Sequence, residues 1–220
     1  MPAGRPLQFD PEVALDAAMQ TFWDRGFEAT ALPDLLGATG LSRSSLYQAF
    51  GNKQRLFERC LLRYQEQLET AMRARLAAAP SGWAFLTGVL DDIVNEKSRT
   101  ARRRGCLVMN TAREFNCRDR RVSKLVKAGV DRMTAVFATA IRRAQDEGDI
   151  PREHDATMLG AYFLAGIGGL RTLLQSRSEA PLLNAVAAQL LQGLRAGSAQ
   201  VAAPSARAVA RRPARHIDRG

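Results

Sequence analysis

The stretch LSRSSLYQAFGNK, Leu41 to Lys53, decides how this chain is read. Ser42 is a residue of the N-cap type, and the run from it predicts a helix of nine residues, Ser42 to Phe50. A helix that short is marginal by itself. Leu46 and Phe50, four residues apart, share one face, while Arg43, Ser44, Tyr47 and Gln48 point outward. A chain that supports so short a helix from behind does so for the sake of what its front displays.

Upstream, Asp10-Pro11-Glu12 predicts an N-cap, a proline at the first helical position and an acid in the first turn. The helix that follows carries Leu15, Ala18 and Phe22 on one stripe and stops at Gly26. Thr30 is expected to cap a second helix with Pro33 in its first turn, ending at Thr39 with Gly40 in the left-handed position after it. Downstream, Asn52 caps a long helix whose Leu56, Cys60, Tyr64 and Leu68 keep helical spacing, and Pro80-Ser81-Gly82 breaks it. Further helices are expected at about 83–98, 105–116, 120–147, 154–177 and 181–195. The fold class is all-α.

The chain has 220 residues, 46% hydrophobic, 6% aromatic, with a net charge of +10. That length accommodates one sizeable helical domain plus a small one. No segment approaches a charge-free run of about 18 apolar residues, so no membrane partner is expected. The N-terminus MPAGRPLQFDPE has no apolar core of the signal-peptide kind, and the expectation is a cytoplasmic protein. Three cysteines argue against a disulfide scaffold. Residues 196–220 lack apolar periodicity and carry five Arg against one Asp. They read as a basic disordered tail, either a solubilising end or a non-specific nucleic-acid contact.

Two short helices joined by a glycine-containing turn, the second with a polar front, have the geometry of a helix-turn-helix. The major groove admits one such helix. The segments GRPLQFDPEVALDAAMQTFWDRGFEAT and LPDLLGATGLSRSSLYQAFGNKQRLF closely resemble the TetR family of transcriptional regulators. The pattern G-F-x-A-T, then G-L-S, then L-Y-x-x-F-x-x-K-x-x-L-F carries the resemblance over the first quarter to third of the chain. It implies an N-terminal three-helix DNA-binding domain (1–55), joined by the long helix to a helical-bundle effector and dimerisation domain (56–195). It also implies a homodimeric repressor on a near-palindromic operator, released by a small-molecule or thiol-reactive effector of unknown identity, with no cofactor.

Arg43 suits a bidentate contact to guanine and Gln48 one to adenine, with Ser44 a permissive polar contact beside Ser42. Tyr47 and Lys53 stand where the family's phosphate-contacting residues do. Lys53 also lies in the first turn of its helix, where the dipole disfavours cations unless an anion is held there. Thr30 is the other expected phosphate neighbour, although Ala31 stands where the family often has a second hydroxyl. Arg5, set between Gly4 and Pro6, suits an A·T-rich minor groove.

Between Glu96 and Lys127 eleven basic residues face three acids, a local surplus of +8. Three readings stay open: a solvated surface, attraction to DNA, or a site for an anionic effector. Cys106 and Cys117 lie in this belt, in RGCLVMNTAREFNC, which resembles a segment of some TetR-type regulatory domains that respond to oxidants and electrophiles. They are either redox-reactive or small packing residues. Eleven residues along one helix put them roughly 16 Å apart, too far for an intramolecular bridge. Cys60 reads as core.

Expected walls of an effector pocket are Trp83, Phe85, Met109, Phe115, Met133, Phe137, Tyr162 and Phe163. Small residues cluster in GAYFLAGIGGLRTLL, and helix-interior glycines cost about 0.5–1 kcal/mol each, so they want a reason. A dimer interface through Gly160, Gly166, Gly169, Leu183, Val186 and Leu190 is preferred over a close intrachain crossing or a ligand lying on the glycines. No metal cluster is expected, and a helical enzyme is the weaker class: the two histidines, His154 and His216, make no H-E-x-x-H, and there is no P-loop or C-x-x-C. A constitutive architectural DNA binder would leave the second domain unexplained.

Overall fold

The computed structural model describes residues 9–196 as ten helices, with no strand among the described residues. Arg5, His216 and the basic tail from 197 onward lie outside them. The helices are α1 (Pro11–Arg25), α2 (Leu32–Thr39), α3 (Arg43–Phe50), α4 (Lys53–Ala78), α5 (Gly82–Val94), α6 (Arg99–Arg104), α7 (Leu107–Phe115), α8 (Arg120–Asp146), α9 (Ala156–Gln175) and α10 (Ala180–Ala196).

Most helix starts follow their side chains. Asp10 Oδ1 accepts from the Glu12 N–H, Ser42 Oγ from Ser45 and Asn52 Oδ1 from Arg55. Thr30 is the exception. The N-cap of α2 is Ala31, whose N–H is taken by the Asp34 carboxylate at 2.9 Å. Thr30 is fully buried and its hydroxyl donates to the Gly26 carbonyl at 2.6 Å, closing the corner between α1 and α2. The expected helix over 83–98 ends four residues early, and a short helix forms in the stretch 99–104 where none was expected. The helix α5 ends at Val94, and Ser98 caps a separate six-residue α6.

Two apolar cores form, and α4 belongs to both. Its first half, with Leu56, Phe57, Cys60 and Leu61, packs with Phe22, Leu35, Leu46 and Phe50 of α1–α3 and with Leu107, Val108 and Val122 of α7 and α8. Rings of Phe22, Phe27, Phe57 and Phe115 meet at centroid distances of 5.1–6.1 Å. Burying a side chain of this size stabilises by about 1.5–3 kcal/mol. The second core gathers α5, α8, α9 and α10 around Phe85, Phe137 and Phe163, with Leu76 from the far end of α4.

The small residues of α9 serve this core first, which corrects the interface expected for them. A Cβ on Gly160 would stand 2.8 Å from the Thr134 carbonyl oxygen of α8, and one on Gly166 would stand 2.2 Å from Leu190 of α10. Leu183 and Leu190 are buried within the same chain, and Val186 packs half-buried against them. Gly169 is the one of the set with open space before it. The close intrachain crossing accounts for the rest. By length and composition α9 is also apolar enough to cross a membrane, a run the sequence was not expected to hold. It carries Arg171 and packs between α8, α10 and α5 as a bundle helix.

Candidate functional site

The helices α2 and α3 are joined by Gly40, in the left-handed conformation at φ +68°, and by Leu41 and Ser42. Leu46 and Phe50 anchor α3 in the first core. Arg43, Ser44 and Gln48 stand exposed on the other side. Among the described residues neither the Arg43 nor the Gln48 side chain hydrogen-bonds to another group. The Arg43 guanidinium lies 5.7 Å from the centre of the half-buried Tyr47 ring, a cation–π contact that holds the two together. Ser42 Oγ is 2.9 Å from both Ser44 Oγ and Ser45 Oγ, so the first turn begins with three knit hydroxyls.

Lys53 starts α4 as expected, and its ammonium sits 4.5 Å from the centre of the Phe27 ring. The ring's negative face offsets part of the dipole's penalty on that cation. Thr30 is corrected as a phosphate neighbour: sealed in the α1–α2 corner, it offers no surface to a ligand.

In the regulatory half, a cavity of 290 Å³ opens between α4, α5, α8 and α9. Met109, Met133 and Phe137 line it as expected. The other five expected residues do not. Phe85 and Phe163 are consumed in the core against Phe137, and Phe115 stacks on Phe57 in the first core. Trp83 lies outside under the Arg195 guanidinium at 3.9 Å, and Tyr162 lies across Gly193 of α10. Walls that the sequence reading missed are Leu68, Met72, Leu164 and Ile167, with the polar groups Tyr64, Arg75, Asp92, Glu96 and Arg171. A lone arginine inside an apolar helix was the signal available for Arg171. Burial pushes the Tyr64 phenol well above its ordinary pKa, and the Cys106 thiol beside it adds to the rise.

Cys106 is half-buried and reaches the cavity wall, whereas Cys117 is exposed at φ +60° just past the end of α7. They stand at opposite ends of a nine-residue helix about 14 Å long, so an intramolecular disulfide is excluded. Cys60 is core as read: it is fully buried, its thiol donates to the Leu15 carbonyl, and burial pushes its pKa far up. Among the described residues no three metal-ligating side chains converge.

Contacts from α6 and α7 tie the cavity region to α1 and to the turn before α2. Arg104 of α6 grips Asp24 of α1 at 2.6 and 2.7 Å and donates to Gln20. These hydrogen bonds, with Coulomb attraction from Arg104 and Arg103, hold the Asp24 carboxyl below its usual range despite some desolvation. Glu114 of α7 accepts from the Phe27 and Glu28 N–H groups at 3.0 and 2.7 Å, in the turn before α2. Much of the basic belt is thus occupied within the chain: Arg103 and Arg104 on Asp24, Lys127 on Asp131, Arg118 on backbone carbonyls of α7.

Comparison with known proteins agrees with this geometry. The family described as bacterial regulatory proteins, tetR family, matches residues 14–60, and the tetracyclin repressor-like C-terminal domain matches residues 82–190. The HTH-type transcriptional repressor ComR of Escherichia coli K12 is 30% identical over 171 residues, 76% of this chain and 80% of its own. An uncharacterized HTH-type regulator of Bacillus subtilis, YezE, is 29% identical over 160 residues, 72% of this chain and 82% of its own. Among solved structures, a cysteine mutant of the TetR family regulator CifR, complexed with 26-base-pair operator DNA, is 29% identical. That alignment covers 87% of this chain and all of CifR, with a TM-score of 0.71. Fold and family are those of a DNA-binding regulator rather than an enzyme, and the chain belongs to the TetR family of transcriptional regulators.

Proposed function

We propose that this regulator is a homodimeric repressor that reads a near-palindromic operator through α3 and is released by a small molecule entering the α4–α9 cavity. The observation that carries the reading is the front of α3. Arg43, Ser44 and Gln48 are exposed while Leu46 and Phe50 fix the helix from behind. Arg43 is the guanine reader and Gln48 the adenine reader, and Tyr47, Ser42 and Lys53 grip phosphates. A twofold dimer places two such helices one turn of DNA, about 34–36 Å, or a multiple of it apart. The surface for that dimer is the outer side of α9 and α10, where Met158, Tyr162 and Leu182 are exposed beside Ala161, Ala165 and Gly169. Apolar side chains left in water at this density are characteristic of an interface.

Release follows from the contacts of α6 and α7. Cys106 and Met109 touch the cavity, Glu114 of the same short segment holds the turn before α2, and Arg104 holds α1. A ligand that displaces this segment moves the reading helix, provided it binds the displaced state more tightly. A second reading has a thiol-directed effector, and it rests on the Cys106 thiol in the cavity wall.

The test is fluorescence anisotropy on DNA from the region upstream of the protein's own gene, at fixed salt, with dimer mass followed by light scattering. Saturable, sequence-dependent binding by a dimer supports the proposal, and equal affinity for scrambled DNA sinks it. Adding diamide and then dithiothreitol separates the effector classes. A reversible loss that Cys106→Ser abolishes and Cys60→Ser does not would favour the thiol.

A further inference from the structure

Three adjoining cavities, of 290, 280 and 520 Å³, have a single residue in all their walls besides shared neighbours: Arg171 of α9. It sits in the run GAYFLAGIGGLRTLL, the only charge there, and it is half-buried. Among the described residues no carboxylate lies within ion-pair distance of its guanidinium, and no carbonyl accepts from it. The other charges around the 290 Å³ cavity are engaged. Arg75 pairs with Asp92, whose side chain is 67% exposed toward solvent. Glu96 has its Oε1 taken by the Ser98 N–H at 2.7 Å, at the start of α6.

A guanidinium drawn out of water with no partner is costly, and five N–H donors in a planar fork match a carboxylate bidentately. The surroundings favour an acceptor too. The Trp23 indole N–H, in a residue lining the 520 Å³ cavity with Arg171, is buried with no acceptor. Apart from Arg171, Tyr64 and the charged groups Arg75, Asp92 and Glu96, the wall of the 290 Å³ space is mainly apolar, with Leu68, Met72, Val89, Met133, Phe137 and Ile167. Its volume is at the lower limit for drug-sized ligands, which means a small molecule.

We propose that this cavity binds a small apolar monocarboxylate, with Arg171 holding the carboxylate and the apolar body lying between α4, α5, α8 and α9. The assignment rests on the effector reading only for its consequence, the release of DNA. A lone surface cation would show no such selectivity, because water would serve it equally well.

The experiment uses the full chain with phenylacetate and octanoate as probes, and phenylacetamide and octanamide as their neutral counterparts. Calorimetry reads binding, and operator anisotropy reads release. The acids are expected to bind about ten- to a hundredfold more tightly than the amides, the range of one hydrogen bond to a charged group. Arg171→Gln removes the preference and Arg171→Lys keeps part of it, and in the absence of ligand Arg171→Gln melts no lower than the parent chain, because it relieves an unpaired charge. Amides that bind and release DNA as well as acids overturn the carboxylate assignment and leave the effector reading in place. Acid binding that Arg171→Gln weakens, with operator affinity unchanged, upholds the assignment and sinks the effector reading instead. No binding of either class at millimolar concentration overturns the assignment.

Discussion

Arg43 and Arg171 both lack a carboxylate partner among the described residues, and their surroundings are opposite. Arg43 stands in water on a short helix, held only by the face of Tyr47. Its desolvation is deferred until a partner arrives, so α3 is stable unbound. Arg171 is half-withdrawn into an apolar cavity, where its cost is already present in the free protein. An outward cation selects among partners as they dock. An inward one leaves a vacant state that a fitting anion stabilises. On the proposed function, the helix-turn-helix needs only one resting arrangement, and the regulatory half has a reason for two.

That contrast predicts a hierarchy of effects. The largest belongs to the shared aromatic cluster: Phe57→Ala should cost about 3–5 kcal/mol in chemical denaturation, since Phe22, Phe27 and Phe115 all lose a ring contact. A cost under about 1 kcal/mol would show the cluster to be loosely packed. Next comes the outward charge. Arg43→Ala should lose about 1–3 kcal/mol of discrimination at one base pair, and Gln48→Ala the same at another. Both should leave folding stability within about 0.5 kcal/mol, as expected for exposed positions. Equal weakening on every DNA would refute base reading by these two residues.

The link between the halves ranks third. Asp24→Asn should destabilise by about 1–2 kcal/mol, between the values for exposed and buried pairs, because the two side chains are 29% and 23% exposed. Its pH dependence has a definite sign. The folded carboxyl is held below the ordinary value, so its contribution is fully present above about pH 4 and is lost as pH falls through the folded pKa. The difference between wild type and Asp24→Asn, measured by urea denaturation, should therefore shrink in acid. A difference that grows below pH 4 would contradict the pairing. The smallest effect is that of Lys53→Ala, a uniform weakening on all sequences with the salt slope reduced by about one phosphate contact. A change confined to one base pair would move Lys53 from phosphate to base.

How far the sequence could be read divides along the same line. The reading helix was legible because its determinants are local: Ser42 and Asn52 cap, Leu46 and Phe50 anchor, and Gly40 turns. Thr30 was misjudged because its hydroxyl had a second local acceptor, the Gly26 carbonyl, and Asp34 could tie off the helix start without it. The helix α6 was missed because its six residues, RTARRR, carry no apolar stripe, and only the cap Ser98 announces it. Glycine clusters on α9 announced close approach and could not name the approaching helix, which proved to be α8 or α10 of the same chain. Of eight expected cavity residues three line it, since core and cavity wall use the same side chains and differ only in what stands opposite.

The long α4 has a mechanical consequence. Its 26 residues span about 39 Å, with the two ends embedded in different cores. If α4 pivots near Leu68, where it meets the cavity, its first residue, Lys53, rides on an arm of about 22 Å. A tilt of about 5° at the pivot then carries Lys53 roughly 2 Å, enough to lift a hydrogen bond out of range. Angular slack too small to disturb the packing at one end becomes misalignment at the other. In a symmetric pair the two misalignments open or close the span between reading helices together, so the spacing of the DNA grooves acts as a gauge that a slight rotation no longer fits.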